Sequence, residues 1–376
     1  MNIGVIYYRI EVPYEEVTDY GYTRLSSSFF LIIESDERMS KPISEPDDFE
    51  IEDVPLLEDE QSVEDDPVDH EDENEELDSN EQSLIGLLSS EVMERFGEPV
   101  RIDQAIYSYD WWIYPHDEKP TSYLQMGIQD DHVVTVFAAG DLIDSFYSFA
   151  DTYEELDEYF SFSNQVEVKA SKGQYQFQLS NEDLTSRPLV EVDGDWVQLY
   201  FDTFTGELSS IRVLDADTLV EMRPYSVSYI GVTPERPTVS NEVWQEVEKG
   251  EARQIFDYSN VIRARHGLEP YKWEEDVSVV AYEHSREMKE KEYFSHTSPE
   301  YGELDDRFDR KDIRFRLAGE NIAAMYMDGL AAVEGWLNSE GHRVNLLHEE
   351  FTHLGVGVFQ DYYTQNFMTP WANINE

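Results

Sequence analysis

Residues 34–81 form an acidic low-complexity run, ESDERMSKPISEPDDFEIEDVPLLEDEQSVEDDPVDHEDENEELDSNE, and a folded core cannot be built through it. Like charges at this density repel, and the few apolar residues between them cannot offset the entropy of ordering the backbone. The run therefore reads as a disordered tether. It makes residues 1–81 an acidic, largely disordered tail and starts the folded chain near Leu84. Calcium binding, the functional alternative for such a run, needs carboxylates spaced around a central glycine as in an EF-hand loop, and that spacing is absent.

The acidic excess extends to the whole chain. It carries 82 acidic against 27 basic residues, only nine of them lysine, for a net charge of -55 over 376 residues. Such a surface repels a phosphate backbone, so nucleic acid is excluded as a partner unless a local basic patch exists. The nearest thing to a patch, residues 307–316, is interrupted by aspartates. Anionic lipid headgroups are disfavoured for the same reason. An acidic, lysine-poor surface fits adaptation to salt, which screens the self-repulsion.

Cysteine is absent, so neither disulfides nor thiolate metal sites are available. No stretch reaches the ~18 apolar residues of a membrane span; the apolar run at residues 29–33 is far shorter. The opening MNIGVIYYRIEVPYEE lacks the cationic and apolar regions of a signal peptide. Two locations follow: cytoplasmic, or extracellular and cell-surface with an export signal not visible in this sequence.

Beyond the tail the pattern is α+β. Residues 89–96 read as a short helix closed by Gly97. Strand-like runs follow at residues 105–114, 123–128 and 133–138, the last two joined by a hairpin turn at residues 129–132. Residues 153–159 read as a helix. Residues 175–179, 196–202 and 208–214 read as strands, with a second hairpin at residues 203–206. Each half thus offers a helix, a tryptophan-bearing strand and a hairpin, a pattern of internal duplication. Together they define an α+β domain rich in antiparallel hairpins over residues 82–230. Residues 231–242, with Pro234 and Pro237, read as a linker. Residues 243–371 then turn helical: Phe256, Val261 and Ile262 mark one amphipathic helix closed by Gly267, and Val277, Val280, Ala281, His284 and Met288 mark the next. Strand-like runs at residues 352–359 and 362–368 complete a second α+β domain.

Several motifs crowd this last domain: Phe294-Ser295-His296-Thr297-Ser298-Pro299, then Ala318-Gly319-Glu320-Asn321-Ile322-Ala323, then Gly335 to Leu347 with Gly341-His342-Arg343 inside it. Leu354-Gly355-Val356-Gly357-Val358 and Tyr363-Thr364-Gln365-Asn366-Phe367 close the series. In this order they resemble the CAP superfamily, named for cysteine-rich secretory proteins, antigen 5 and plant pathogenesis-related proteins, and most nearly its bacterial, cysteine-free branch. The preceding domain, through Asp110-Trp111-Trp112-Ile113-Tyr114 and Gly127-Ile128, resembles the N-terminal domain that precedes CAP domains in Firmicutes.

The resemblance implies an α-β-α sandwich with an open cleft. In the family's eukaryotic members two histidines and two glutamates there bind a divalent metal. The first of each corresponds to His296 and Glu320. Ser339 stands at the second glutamate position and Tyr362 at the second histidine position, while His342 belongs to the bacterial Gly-His-Arg motif. The expected cleft is therefore His296, Glu320, Ser339 and His342, with Asn321, Tyr362, Tyr363 and Gln365 around it. His296, Glu320 and His342 form a candidate zinc set, since imidazole and carboxylate suit that ion and three protein ligands leave an open position.

Plainer roles stand beside these. His284 reads as a core histidine, Asn321 and Arg343 as loop anchors, Trp336 as core, and Ser339 as the cap of a short helix. Ser339 as a nucleophile lacks the elbow and oxyanion loop such a role requires. Three functions follow: a cell-surface or exterior module binding a lipid, glycan or peptide in the His/Glu cleft; a zinc-dependent, peptidase-like hydrolase using the same cleft; or a structural or adhesion module. No catalytic residue is assigned.

Overall fold

The computed structural model describes residues 83–115, 119–143, 152–232 and 237–371, together with the strand backbones of residues 5–9 and 30–34. The acidic run thus lies outside the described residues, save that its first residue ends a strand. In chain order the elements are β1 (Val5–Arg9), β2 (Phe30–Glu34), α1 (Ser89–Phe96), β3 (Arg101–Gln104), β4 (Asp110–Pro115), β5 (Tyr123–Gln129), β6 (His132–Ala139), α2 (Tyr153–Phe160), β7 (Gln165–Ala170), β8 (Gly173–Gln178), α3 (Asn181–Ser186), β9 (Leu189–Val192), β10 (Asp195–Asp202), β11 (Glu207–Leu214), α4 (Ala216–Met222) and β12 (Ser226–Gly231). The C-terminal part adds α5 (Asn241–Arg265), β13 (Lys272–Trp273), α6 (Glu275–Glu290), α7 (Leu304–Asp309), β14 (Phe315–Ala324), α8 (Gly329–Leu337), α9 (Glu340–Leu346), β15 (His353–Phe359) and β16 (Tyr362–Pro370).

The N-terminal domain is built on a seven-stranded sheet ordered β3-β4-β5-β6-β11-β10-β9, with β12-β8-β7 as a small second sheet. Both expected hairpins form. Asp130 and Asp131 turn β5 into β6 with φ of 48° and 70°, the left-handed pair that a two-residue hairpin loop requires. The β10–β11 hairpin turns at residues 203–206, and its β11 pairs antiparallel with β6, so the two hairpins join at the centre of the sheet. The expected strand over residues 105–114 divides. Only β4 is strand there, because residues 105–109 leave the sheet and Tyr107 donates its hydroxyl to the Met327 carbonyl at 2.9 Å, in the C-terminal domain. Tertiary packing overrides strand propensity at this point.

The C-terminal domain is a three-layer α-β-α sandwich. Its sheet runs β1-β2-β14-β16-β15-β13, antiparallel except for the β13–β15 pair. The short apolar run at residues 29–33 supplies most of β2, which lies along the outer edge of β14. The α6 and α7 helices cover one face, where Val277, Val280, Leu304 and Phe308 pack on Ala318 and Met368. The other face carries α5, α8 and α9 over Leu317, Ala323 and Phe367. Helix α6 sits almost on the backbone of β15: a Cβ at Gly357 would lie 1.9 Å from the Tyr282 nitrogen. The Leu354-Gly355-Val356-Gly357-Val358 motif is thus a track for a helix.

The two domains share one hydrophobic core. Tyr123, Phe137 and Tyr200 of the N-terminal sheet cluster with Ile255, Tyr258, Leu330 and Val333 of α5 and α8. Almost every residue of α8 is buried, from Gly329 to Leu337, which is the mark of a helix covered on all sides. Glu334 in its middle accepts hydrogen bonds from Ser209, Ser210 and Tyr258, all on one carboxylate oxygen. At the hairpin tip, Thr203 donates from its amide and hydroxyl to Asn338, and Arg343 of α9 pairs with Asp202 at 2.8 Å.

Candidate functional site

His296 lies in the loop between α6 and α7. The loop runs over residues 291–303, and polar groups hold it: Ser298 and Gly302 exchange backbone hydrogen bonds at 2.8 and 3.0 Å, and the Ser298 hydroxyl donates to Glu287 of α6 at 2.6 Å. Glu320 stands in the middle of β14, pointing to the α6–α7 face. The two meet directly, His296 Nδ1 lying 2.8 Å from Glu320 Oε1. An ionised carboxylate only accepts, so in the neutral imidazole the proton sits on Nδ1 and Nε2 is the acceptor nitrogen, an assignment made from the hydrogen-bond network.

Two further residues complete this centre. Arg307 of α7 forks onto Glu320, Nη1 to Oε2 at 2.8 Å and Nη2 to Oε1 at 2.9 Å, and Nη2 also donates to the His296 carbonyl at 2.9 Å. His284 of α6 donates from Nε2 to the Ser295 carbonyl at 3.0 Å and stands 4.0 Å from Glu320 Oε1. All four side chains are buried. Burial alone would raise the Glu320 carboxyl; the ionic contacts, Arg307 foremost, override it and hold the group well below the usual carboxylate range. Burial, with the Arg307 charge beside it, pushes His284 down to about 4. Its ring is neutral at neutral pH.

The remaining expected residues fall elsewhere. Successive strand residues face opposite ways, and Asn321 accordingly points away from Glu320. It donates to Gln365 Oε1 and to the His342 carbonyl, both at 3.1 Å, and accepts from Asn345 at 3.0 Å. Gln365 passes the chain on to Ser259 of α5 at 2.8 Å. This is an amide lattice that fastens α5 and α9 to the sheet. Tyr363 is buried in the same face and donates to the Tyr326 carbonyl at 3.4 Å. Tyr362 is half-buried on the opposite face, its ring 6.4 Å from that of Phe294. Ser339 occupies the N-cap of α9, but its side chain makes no capping hydrogen bond and none to His342 or Glu320 among the described residues. His342 is buried on α9. Among the described residues no group of three or more histidine, aspartate or glutamate side chains is arranged to hold a metal ion.

Sequence reasoning passed over Arg307, read as part of a broken basic patch, and left His284 in the core without its neighbour. Neither belongs to a local motif. Asn366 is a third such residue: it lies directly across from Glu320 on β16, fully buried, with neither polar atom of its side chain hydrogen-bonded among the described residues.

Comparison with known proteins agrees with this architecture. A family model described as CAP-associated N-terminal matches residues 85–225, and the model for the cysteine-rich secretory protein family, CAP, matches residues 256–369. The chain is 45% identical over 290 residues to the Bacillus subtilis (strain 168) protein named "Uncharacterized membrane protein YlbC", covering 77% of this chain and 83% of that protein. It is also similar to the crystal structure of an extracellular protein containing a SCP domain from Bacillus anthracis, with a TM-score of 0.72, 40% identity, and 84% of this chain and 100% of that one covered. A cysteine-rich secretory protein from Staphylococcus aureus shares the fold, at a TM-score of 0.64 and 21% identity over 76% of this chain and 93% of its own. No helix among the described residues is long and apolar enough to cross a membrane. With a relative this similar along most of its length and the three-layer fold in place, the chain belongs to the CAP family, its CAP domain preceded by a CAP-associated N-terminal domain.

Proposed function

We propose that the protein works at or outside the cell surface as a ligand-holding module, and that its cleft recognises a hydroxyl or amide donor of a glycan or peptide through His296. The observation that carries this reading is the 2.8 Å contact between His296 Nδ1 and Glu320. It fixes the ring in one tautomer and directs an acceptor nitrogen away from the strand, the arrangement by which a carboxylate orients an imidazole in many sites. A lipid tail would gain nothing from that group. The exterior location rests on the relatives, one described as extracellular and one as a membrane protein. Among the described residues the Ser339 hydroxyl makes no hydrogen bond to His342 or Glu320, so nothing there supports it as a nucleophile.

His296 is only 2% exposed, so a ligand reaches Nε2 by opening the loop that carries it. Association is then slower than the ~10⁵ M⁻¹s⁻¹ typical of preformed surfaces. The test is calorimetric titration of the full chain with soluble bacterial cell-wall fragments, glycan-only and peptide-bearing in separate runs. Binding to either class that falls at least tenfold in His296→Ala supports the proposal. Binding unchanged by that variant points to the structural or adhesion role, and no binding to either class refutes the cleft reading.

A further inference from the structure

Metal binding in the family's cleft needs open lone pairs on imidazole and carboxylate, and the Glu320 carboxylate has little left to offer. Its Oε1 accepts from His296 Nδ1 and Arg307 Nη2, and its Oε2 accepts from Arg307 Nη1. A divalent ion approaching either oxygen meets a guanidinium already seated there, in a buried setting where like charges repel strongly. Displacing it would strand Arg307, which is 5% exposed and whose other hydrogen bonds among the described residues go to the carbonyls of His296 and Glu303. Uncompensated burial of a charge is among the most costly changes a protein interior can undergo. The remaining imidazole of the centre, His284, donates its Nε2 proton to the Ser295 carbonyl and keeps its lone pair on Nδ1, so what stands against a metal here is the covered carboxylate.

We propose that Arg307 is the resident cation of this cleft: it takes the electrostatic place a divalent metal would hold, and the His296–Glu320 pair works without metal. Arg307 is then a positioning residue. It keeps Glu320 ionised as a hydrogen-bond acceptor, and Glu320 in turn keeps the His296 proton on Nδ1. The bidentate fork is what makes the assignment to arginine specific, since a lysine offers one point charge and cannot cover both carboxylate oxygens. This proposal does not depend on the ligand proposed above, because it concerns the state of the cleft before any ligand arrives.

The experiment uses the full chain and two probes, cobalt(II) and zinc(II), with no ligand added. Wild type, His296→Ala, Arg307→Met and Arg307→Lys are titrated, and the His296 ring nitrogens are followed by ¹⁵N NMR. Wild type is expected to show no His296-dependent metal binding and a Nδ1-protonated signature unmoved by chelator or by zinc. Arg307→Met, with Glu320 uncovered, is expected to bind zinc at least tenfold more tightly than wild type. Arg307→Lys is expected to keep the single-tautomer signature but to exclude metal only in part, since one ammonium leaves a carboxylate oxygen uncovered; metal exclusion as complete as in wild type would overturn the assignment to the arginine fork. Wild-type metal binding that disappears in His296→Ala overturns the proposal, as does a His296 signature that zinc shifts. A folded Arg307→Met that gains no affinity also overturns it. If Arg307→Met does not fold, the wild-type arms and Arg307→Lys still decide.

Discussion

Arg212 of the N-terminal sheet and Asp328 at the head of α8 form a two-pronged ion pair, at 2.5 and 3.0 Å, across the boundary between the two domains. Both side chains are buried, and Asp328 also accepts from the Ala331 amide as the N-cap of α8. Removing one partner of such a pair leaves the other charge uncompensated. Arg212→Met is therefore expected to cost about 3–5 kcal/mol in urea denaturation of the full chain. Arg212→Met combined with Asp328→Asn should cost clearly less than the two single changes summed. Strict additivity would show that the ions act independently.

Glu334 carries a pH dependence of opposite sign to an ordinary surface carboxylate. Burial raises its carboxyl above the reference value of 4.5, against the pull of the Ser210, Tyr258 and Ser209 hydroxyls and the Arg265 charge. The folded state then holds this proton more tightly than the unfolded chain does. Its stabilising contribution is complete below about 4.5 and is lost as pH rises through the folded-state value. Glu334→Gln should match wild type near pH 4 and exceed it in denaturant midpoint at pH 8. A difference that stays constant between those pH values would contradict the assignment.

Arg343 shows what the Gly-His-Arg motif does in this chain. It pairs with Asp202 at 2.8 Å, donates to the Leu337 carbonyl at 3.1 Å and covers the Phe204 ring at 4.7 Å. Arg343→Ala is expected to lose about 1–3 kcal/mol. It should also speed amide hydrogen exchange over residues 338–347 while leaving the α6–α7 loop unchanged. Equal acceleration in both segments would mean that the hairpin does not hold α9 selectively.

Gly355 and Gly357 face α6 at distances no side chain can share. An added Cβ would sit 2.3 Å from the Ser278 nitrogen or 1.9 Å from that of Tyr282. Alanine at either position is expected to destabilise the protein by about 3 kcal/mol or more, since the obstructing atoms are helix backbone and cannot rotate away. A melting temperature within two or three degrees of wild type for either variant would show that α6 shifts freely.

What the sequence made legible depended on how local the signal was. The Asp130–Asp131 turn, the α6 stripe from Val277 to Met288 and the motif around Glu320 are all written in neighbouring residues, and each could be read directly. The departure of residues 105–109 from the sheet could not, because it is decided by Tyr107 meeting Met327 across a domain boundary. Arg307 escaped for the same reason. Its neighbours Asp305, Asp306 and Asp309 make it look like one charge among many on a solvated helix, and only the packing of α7 against β14 delivers it to Glu320. The contact between the domains did leave a trace. The segment from Gly329 to Leu337 contains one charged residue and no polar face, which is the composition of a helix that meets protein on every side.

The shared core around α8 also fixes how the His296 loop is carried relative to the N-terminal sheet. In a two-module protein joined by a slack connector, the second module explores a sphere around its attachment point and gains encounters by wandering. Here the ties are buried charges and interlocked rings, so the CAP domain is held like the arm of a bracket. Any attachment made through the N-terminal domain would set the height and bearing of the His296 loop as well.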